Sequence, residues 1–257
     1  MEVLVCVKRV PATGGRITLT EDQQAIDTKF LGFTVSPHEE CAVEEAVRLV
    51  EAHGGSSTVL TLGPELATEQ LRSAVAVGVD RAILLDVGDD EWDPMATASA
   101  IVDVIRADQE AGRGCDVLLF GNESADSGGY QVGIRVALAL GLPCVTGIKG
   151  IEVSDGVATA RRESSAGGWE MFDVDLPAVF TVKEGINLPR YPSVPGRLRA
   201  KKKEIEVIAP THRPGGLERI KLKLPPEQGG EVEILGEGPE AAAAVVEVLQ
   251  QLGVMAR

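Results

Sequence analysis

Short aliphatic runs recur over residues 1–146, and segments of helical pattern separate them. The runs are Val3-Leu-Val-Cys-Val7, Ser57-Thr-Val-Leu-Thr-Leu62, Arg81-Ala-Ile-Leu-Leu85, Cys115-Asp-Val-Leu-Leu-Phe120 and Leu142-Pro-Cys-Val-Thr146. Between them lie four predicted helices. One opens at Ser36-Pro37, with Ser36 as N-cap, Pro37 in the first turn and Glu39 and Glu40 at the positive helix end. The others run from about Leu66 to Val77, from Asp93-Pro94 to about Gln109, and from about Tyr130 to Leu140. Strands and helices alternating in this way build βαβ units. Hydrophobic residues make up 44% of the chain but aromatics only 4%, so the core is aliphatic, as suits parallel strands buried on both faces. The expected fold is α/β, with a doubly wound, mostly parallel, Rossmann-like sheet. A closed (β/α)8 barrel needs more units than the chain supplies.

The pattern changes after Thr146. Ile148–Ser154 alternates, Asp155-Gly156 is a hairpin turn, and Val157–Glu163 returns. Trp169–Asp175 and the buried run Leu176–Val182 follow, which gives an antiparallel extension. Residues 11–35 read as an excursion with a small hairpin. Beyond Ile208 prolines and glycines accumulate before one Ala/Val-rich helix from Pro239 to Leu252. The expected organisation is an α/β domain over residues 1–208 and an arm over 209–257 that docks on a partner.

A net charge of −14 argues against general nucleic-acid binding. Cys6, Cys41, Cys115 and Cys144 are widely spaced, with no CxxC and no metal-ligand set. Met1 leads straight into a strand without a basic leader, and no apolar run reaches membrane-spanning length. A soluble cytoplasmic protein is expected. His38, His53 and His212 lie in separate contexts, and no nucleophile elbow is present. Glu39-Glu40 and Glu44-Glu45 read as solvated helix faces, Trp92 and Trp169 as packing residues.

Ligands of open α/β sheets sit beyond the carboxyl ends of the strands. Three segments converge there: Cys6-Val7-Lys8, Thr61-Leu62-Gly63-Pro64, and Gly121 to Val132. The last is rich in glycine and hydroxyl groups and runs into a helix start, but it is neither a Walker A nor a GxGxxG sequence. It reads either as a phosphate loop with backbone donors facing an anion, or as a helix entry capped by Asp126 or Ser127. A second distinctive stretch is Asn187 to Lys203. Pro189, Pro192 and Pro195 exclude regular helix and central strand, yet Tyr191 and Val194 sit among them, and Arg197, Arg199, Lys201, Lys202 and Lys203 follow. It is either a solvated loop before a Lys-rich helix or a stiff surface segment with an apolar tip.

Together these pieces resemble the β subunit of electron transfer flavoprotein over nearly the whole chain. The matching residues are Val5-Cys-Val-Lys-Arg-Val10, Ala42–Leu49, Leu62-Gly-Pro64, Ala76–Ala82, Gln131-Val-Gly133, Leu176-Pro-Ala-Val179, and above all Asn187-Leu-Pro-Arg-Tyr191 through Ala200-Lys-Lys-Lys203. The resemblance implies a heterodimer whose α subunit holds most of the FAD. It would carry electrons from a flavin-dependent dehydrogenase, of acyl-CoA or methylamine/dimethylglycine type, to a quinone oxidoreductase or other acceptor. It implies no catalytic residues in this chain and a structural AMP. The AMP pocket would comprise Cys6, Ser36, Pro37, His38, Glu39, Leu62, Gly121, Asn122, Glu123, Ser124, Asp126, Ser127, Gly128, Gly129, Tyr130, Gln131 and Val132. The segment 184–203 would be the partner-recognition loop, with Val194 at its tip beside Tyr191, Pro195 and Arg197. Tyr130 and Val132 depart from the family's phosphate loop, and Thr13 and His38 stand where some members place aromatics at the flavin edge. Two alternatives are a bifurcating-type subunit with a second FAD in the AMP site, and a stand-alone adenine-nucleotide-binding stress or signalling protein.

Overall fold

In the computed structural model, the residues described are 1–12, 14, 17–226 and 233–255. They form two compact units, Met1–Lys221 and Leu222–Arg257. The first is built around one sheet that, among the described residues, has nine strands. Its parallel part comprises β1 (Glu2–Cys6), β4 (Ser56–Gly63), β5 (Arg81–Asp86), β6 (Val117–Gly121), β10 (Ala178–Val182) and β11 (Glu206–Ile208). The antiparallel part is a meander of β7 (Cys144–Ser154), β8 (Val157–Glu163) and β9 (Trp169–Asp175). The order is β11-β5-β4-β1-β6-β10-β7-β8-β9, an open sheet rather than a barrel. A separate antiparallel pair, β2 (Val10–Pro11) with β3 (Phe33–Thr34), closes the excursion after β1.

Strand alternation sorts the core into two layers. Val3, Val5 and Val7 pack with α1 (Pro37–His53) and α2 (Thr68–Val77) on one face. Leu4 and Cys6 pack with α3 (Pro94–Glu110) and α4 (Val132–Leu140) on the other. This two-faced burial is the doubly wound α/β arrangement. After β1 the chain steps outward through β4 and β5, then returns to place β6 on the opposite side of β1. The crevice between the carboxyl ends of β1 and β6 is therefore the topological switch point.

The local stop and start signals are used as expected at most borders. Ser36 caps α1 and Pro37 fills its first turn; Asp93 caps α3, accepting from Met95 and Ala96 N–H. Three expectations are corrected. The run Leu142–Thr146 and the alternating stretch after it are one strand, β7. It pairs in parallel with β10 up to Ile148 and antiparallel with β8 beyond, with a register shift where Gly147 takes φ 68°. Pro195 does not exclude helix: it occupies the first turn of α5 (Val194–Lys202), where proline costs no intrahelical hydrogen bond. Trp169 is 52% exposed, with the Arg161 guanidinium 5.2 Å from its ring centre, and so is not a core residue. Trp92, by contrast, packs against the α3/α4 layer.

The second unit contains a 3-10 turn, Gly238–Ala241, leading into α6 (Ala242–Gln251), which has no buried residue.

Candidate functional site

A cleft of about 410 Å³ opens at the switch point. One wall is the first turn of α1, with Ser36, Pro37 and His38; the other is the loop after β6, from Glu123 to Gly128. The two segments meet because β1 and β6 are neighbours and α1 lies across them.

The cap of α1 holds the walls together. Ser36 Oγ accepts the Glu39 N–H at 3.2 Å and donates to the Glu123 carbonyl at 3.1 Å. Glu39 answers with both oxygens, accepting the Ser36 N–H at 2.9 Å and the Lys8 N–H at 2.8 Å. This is a capping box extended to a second strand end. Glu39 is 5% exposed, which corrects its reading as part of a solvated face. Burial pushes its carboxyl up to about 7, although the Ser36 and Lys8 hydrogen bonds pull the other way. Glycine at 121 is required by this packing. A Cβ there would lie 2.5 Å from Glu39 Cγ and 3.3 Å from the Glu39 backbone nitrogen.

The charged side chains of the loop after β6 are paired. Lys8 Nζ lies 2.6 Å from Asp126 Oδ2. Burial raises the Asp126 carboxyl, but the Lys8 charge and the bonds from Lys8, Ser124 and Ser127 outweigh it, and its pKa falls below the usual value. Ser124 and Ser127 hydroxyls lie 2.9 Å apart. His38 Nδ1 accepts the Glu184 N–H at 2.8 Å, so the ring hydrogen sits on Nε2, 3.3 Å from Glu123 Oε1. Both ring nitrogens of His38 are thereby engaged within the chain.

The remaining expected pocket residues divide. Cys6 is buried at the end of β1, where burial drives its thiol far up, and Leu62 is half-buried under the α3/α4 layer; neither lines the cleft. Gly121 and Asn122 lie behind it. Asn122 Oδ1 accepts from Thr181 Oγ1 at 3.0 Å, and Thr181 Oγ1 accepts the Gly147 N–H at 2.8 Å, which ties β6 to β10 and β7. Gly129, Tyr130, Gln131 and Val132 continue toward α4 beyond the cleft lining. Tyr130 takes φ 53°, and Gln131 turns its side chain to Arg135. Among the described residues no side chain caps α4. Thr13 lies outside the described residues. Lys8 and Ala125 stand in the converging segments Cys6-Val7-Lys8 and Gly121 to Val132 but are not singled out from sequence as pocket residues; the pairing of Lys8 with Asp126 spans 118 positions and has no local signal.

The second predicted feature, residues 184–203, runs along α1 and then packs α5 on α2. Tyr191 is 95% and Val194 72% exposed. Pro195 and Arg197 lie exposed beside Val194 in the first turn of α5. Leu188 and Leu198 are also exposed, so the apolar patch is wider than the two side chains singled out from sequence. Glu44 and Glu45 are buried under this segment, again against their reading as solvated.

The fold and cleft define a doubly wound α/β protein with a polar crevice at its switch point. Its relatives narrow that class. Residues 26–212 match the electron transfer flavoprotein domain. The chain is 34% identical to an electron transfer flavoprotein subunit beta of Bacillus subtilis, covering 97% of this chain and 98% of that protein. It is 35% identical to the Syntrophomonas wolfei subunit beta, over 95% of this chain and 93% of that one. It is 36% identical to the Mycobacterium tuberculosis subunit beta, over 80% and 78%. The chain belongs to the electron transfer flavoprotein family, among the β subunits, which are electron carriers.

Proposed function

We propose that this chain is the β half of a heterodimeric electron carrier and holds an adenine mononucleotide, AMP, in the cleft between α1 and the Glu123–Gly128 loop. The observation that carries the nucleotide reading is the cleft itself. It lies at the switch point, carries the carboxylates Asp126 and Glu123 paired with Lys8 and His38, and ends near the start of α4. Glu123 and Asp126 can accept from ribose hydroxyls. Lys8 and the first N–H groups of α4 suit a phosphate. A mononucleotide matches the size of such a cleft better than a dinucleotide. AMP supplies no redox chemistry; it would brace the loop against α1.

FAD, held mainly by an α subunit, supplies one-electron carrier chemistry when bound. The role of this chain is to help fix that subunit and to present the electron donor with a docking surface. The arm of residues 209–257, whose α6 has no fully buried residue, is the element assigned to the α subunit. The exposed apolar patch around Tyr191 and Val194 is assigned to a flavin-dependent dehydrogenase, whose electrons pass on to a downstream acceptor. The four free cysteines fit a cytoplasmic setting.

The test is co-expression with the α subunit, followed by mixing with an acyl-CoA dehydrogenase and its substrate. Bleaching of the bound flavin at catalytic dehydrogenase levels is expected. A chain that purifies alone as a stable nucleotide-binding monomer and ignores the α subunit would count against the proposal.

A further inference from the structure

Glu44 is 4% exposed on α1, and it accepts three N–H groups from one residue 146 positions away. These are the Arg190 backbone N–H at 3.1 Å, Nε at 2.9 Å and Nη2 at 3.1 Å. Arg190 also reaches Glu51, with Nη1 at 2.6 Å and Nη2 at 2.9 Å. Beside it, Asn187 Nδ2 donates to Glu45 Oε2 at 2.7 Å and to the Cys41 carbonyl at 2.9 Å. A second anchor lies past the tip. Gly196 packs so close to α2 that a Cβ would sit 2.2 Å from the Ala76 carbonyl oxygen, and Arg72 Nη1 donates to the Ala200 and Lys203 carbonyls. The exposed Tyr191 and Val194 lie between these two anchors.

We propose that the Glu44–Arg190 pair is a positioning clamp that fixes the segment bearing Tyr191 and Val194 and so sets how readily a dehydrogenase docks. This rests on the docking role proposed above. An ion pair that buries one of its charges is a poor way to gain stability, since apolar residues of similar volume do as well or better. What it supplies is geometry. Glu44 captures the backbone N–H of Arg190 as well as its guanidinium, which fixes the main chain immediately before Tyr191. A loop held in its docking conformation loses less entropy on binding. Glu44 and Arg190 are positioning residues: neither is required to touch the partner.

The test uses the flavin-loaded heterodimer and an acyl-CoA dehydrogenase with its substrate. Glu44→Gln and Arg190→Lys are compared with Val194→Ala at the tip. Glu44→Gln should speed amide exchange across residues 187–194 and raise the KM for the heterodimer by about tenfold, with kcat at saturation unchanged. Arg190→Lys, which keeps the charge but loses the fork, should fall between it and wild type. Unchanged exchange overturns the clamp. So does faster exchange with an unchanged KM while Val194→Ala raises it. If Val194→Ala also leaves KM unchanged, the docking role itself fails and the clamp fails with it. Should Glu44→Gln not fold, Arg190→Lys and the exposed partner change Glu51→Gln carry the same readouts.

Discussion

Ser36 and Glu39 hold each other at both ends, Ser36 Oγ accepting the Glu39 N–H and Glu39 Oε2 accepting the Ser36 N–H. The other Glu39 oxygen takes the Lys8 N–H, while Ser36 Oγ donates to the Glu123 carbonyl. One residue pair thus joins the helix start, the end of β1 and the loop after β6, which are the parts that form the cleft.

That pair makes stability depend on pH. The Glu39 carboxyl titrates at about 7 when folded against an ordinary 4.5, so folding favours its protonated form. The contribution is fully present below pH 4.5 and is lost as pH climbs through about 7. The Tm should therefore fall between about pH 5 and about pH 8, and the fall should be smaller in Glu39→Gln, which cannot ionise. Parallel Tm profiles for the two proteins would show that Glu39 is not the titrating group.

Gly121→Ala would drive a Cβ into Glu39 Cγ, which is held in place by two backbone donors. Overpacking of this kind costs about 1–3 kcal/mol. Urea unfolding should show that loss, together with reduced nucleotide retention. An alanine variant of wild-type stability would mean that the cap yields more easily than its bonding implies.

Ser36→Ala removes the N-cap and the donor to Glu123. Loss of such a cap costs about 1 kcal/mol. Because the hydroxyl also ties the loop to α1, nucleotide release should quicken as well, measurable by dialysis against nucleotide-free buffer. Lower stability with unchanged release would confine Ser36 to the helix.

Lys8→Met should weaken nucleotide binding by about tenfold, the scale of one charge-assisted hydrogen bond. Asp126→Asn, which frees Lys8 from its pair and keeps an acceptor oxygen for a ribose hydroxyl, should cost less than that if the lysine serves the phosphate. Isothermal titration of the nucleotide-depleted heterodimer with AMP separates the two cases.

Much of this architecture is legible in the sequence because its signals are local. Ser36-Pro37 and Asp93-Pro94 announce helices within a few residues, and the aliphatic runs announce buried strands. The buried carboxylates are not legible, because their partners are remote. Glu44 looks like any helix-surface acid until Arg190 is brought beside it, and Glu39 needs the end of β1. Pro195 misled for a related reason: proline forbids a helix interior but not a first turn, and only the position of Ser193 as cap tells the two apart. The continuity of β7 was hidden by Gly147, which bends the strand without ending it.

The central claim is that the cleft between α1 and the Glu123–Gly128 loop holds an adenine mononucleotide beside a partner-held flavin. The direct measurement is acid denaturation of the purified heterodimer, followed by chromatography and mass analysis of what is released. The account predicts one AMP and one FAD per heterodimer. Two FAD and no AMP, or FAD with no second nucleotide, would contradict it.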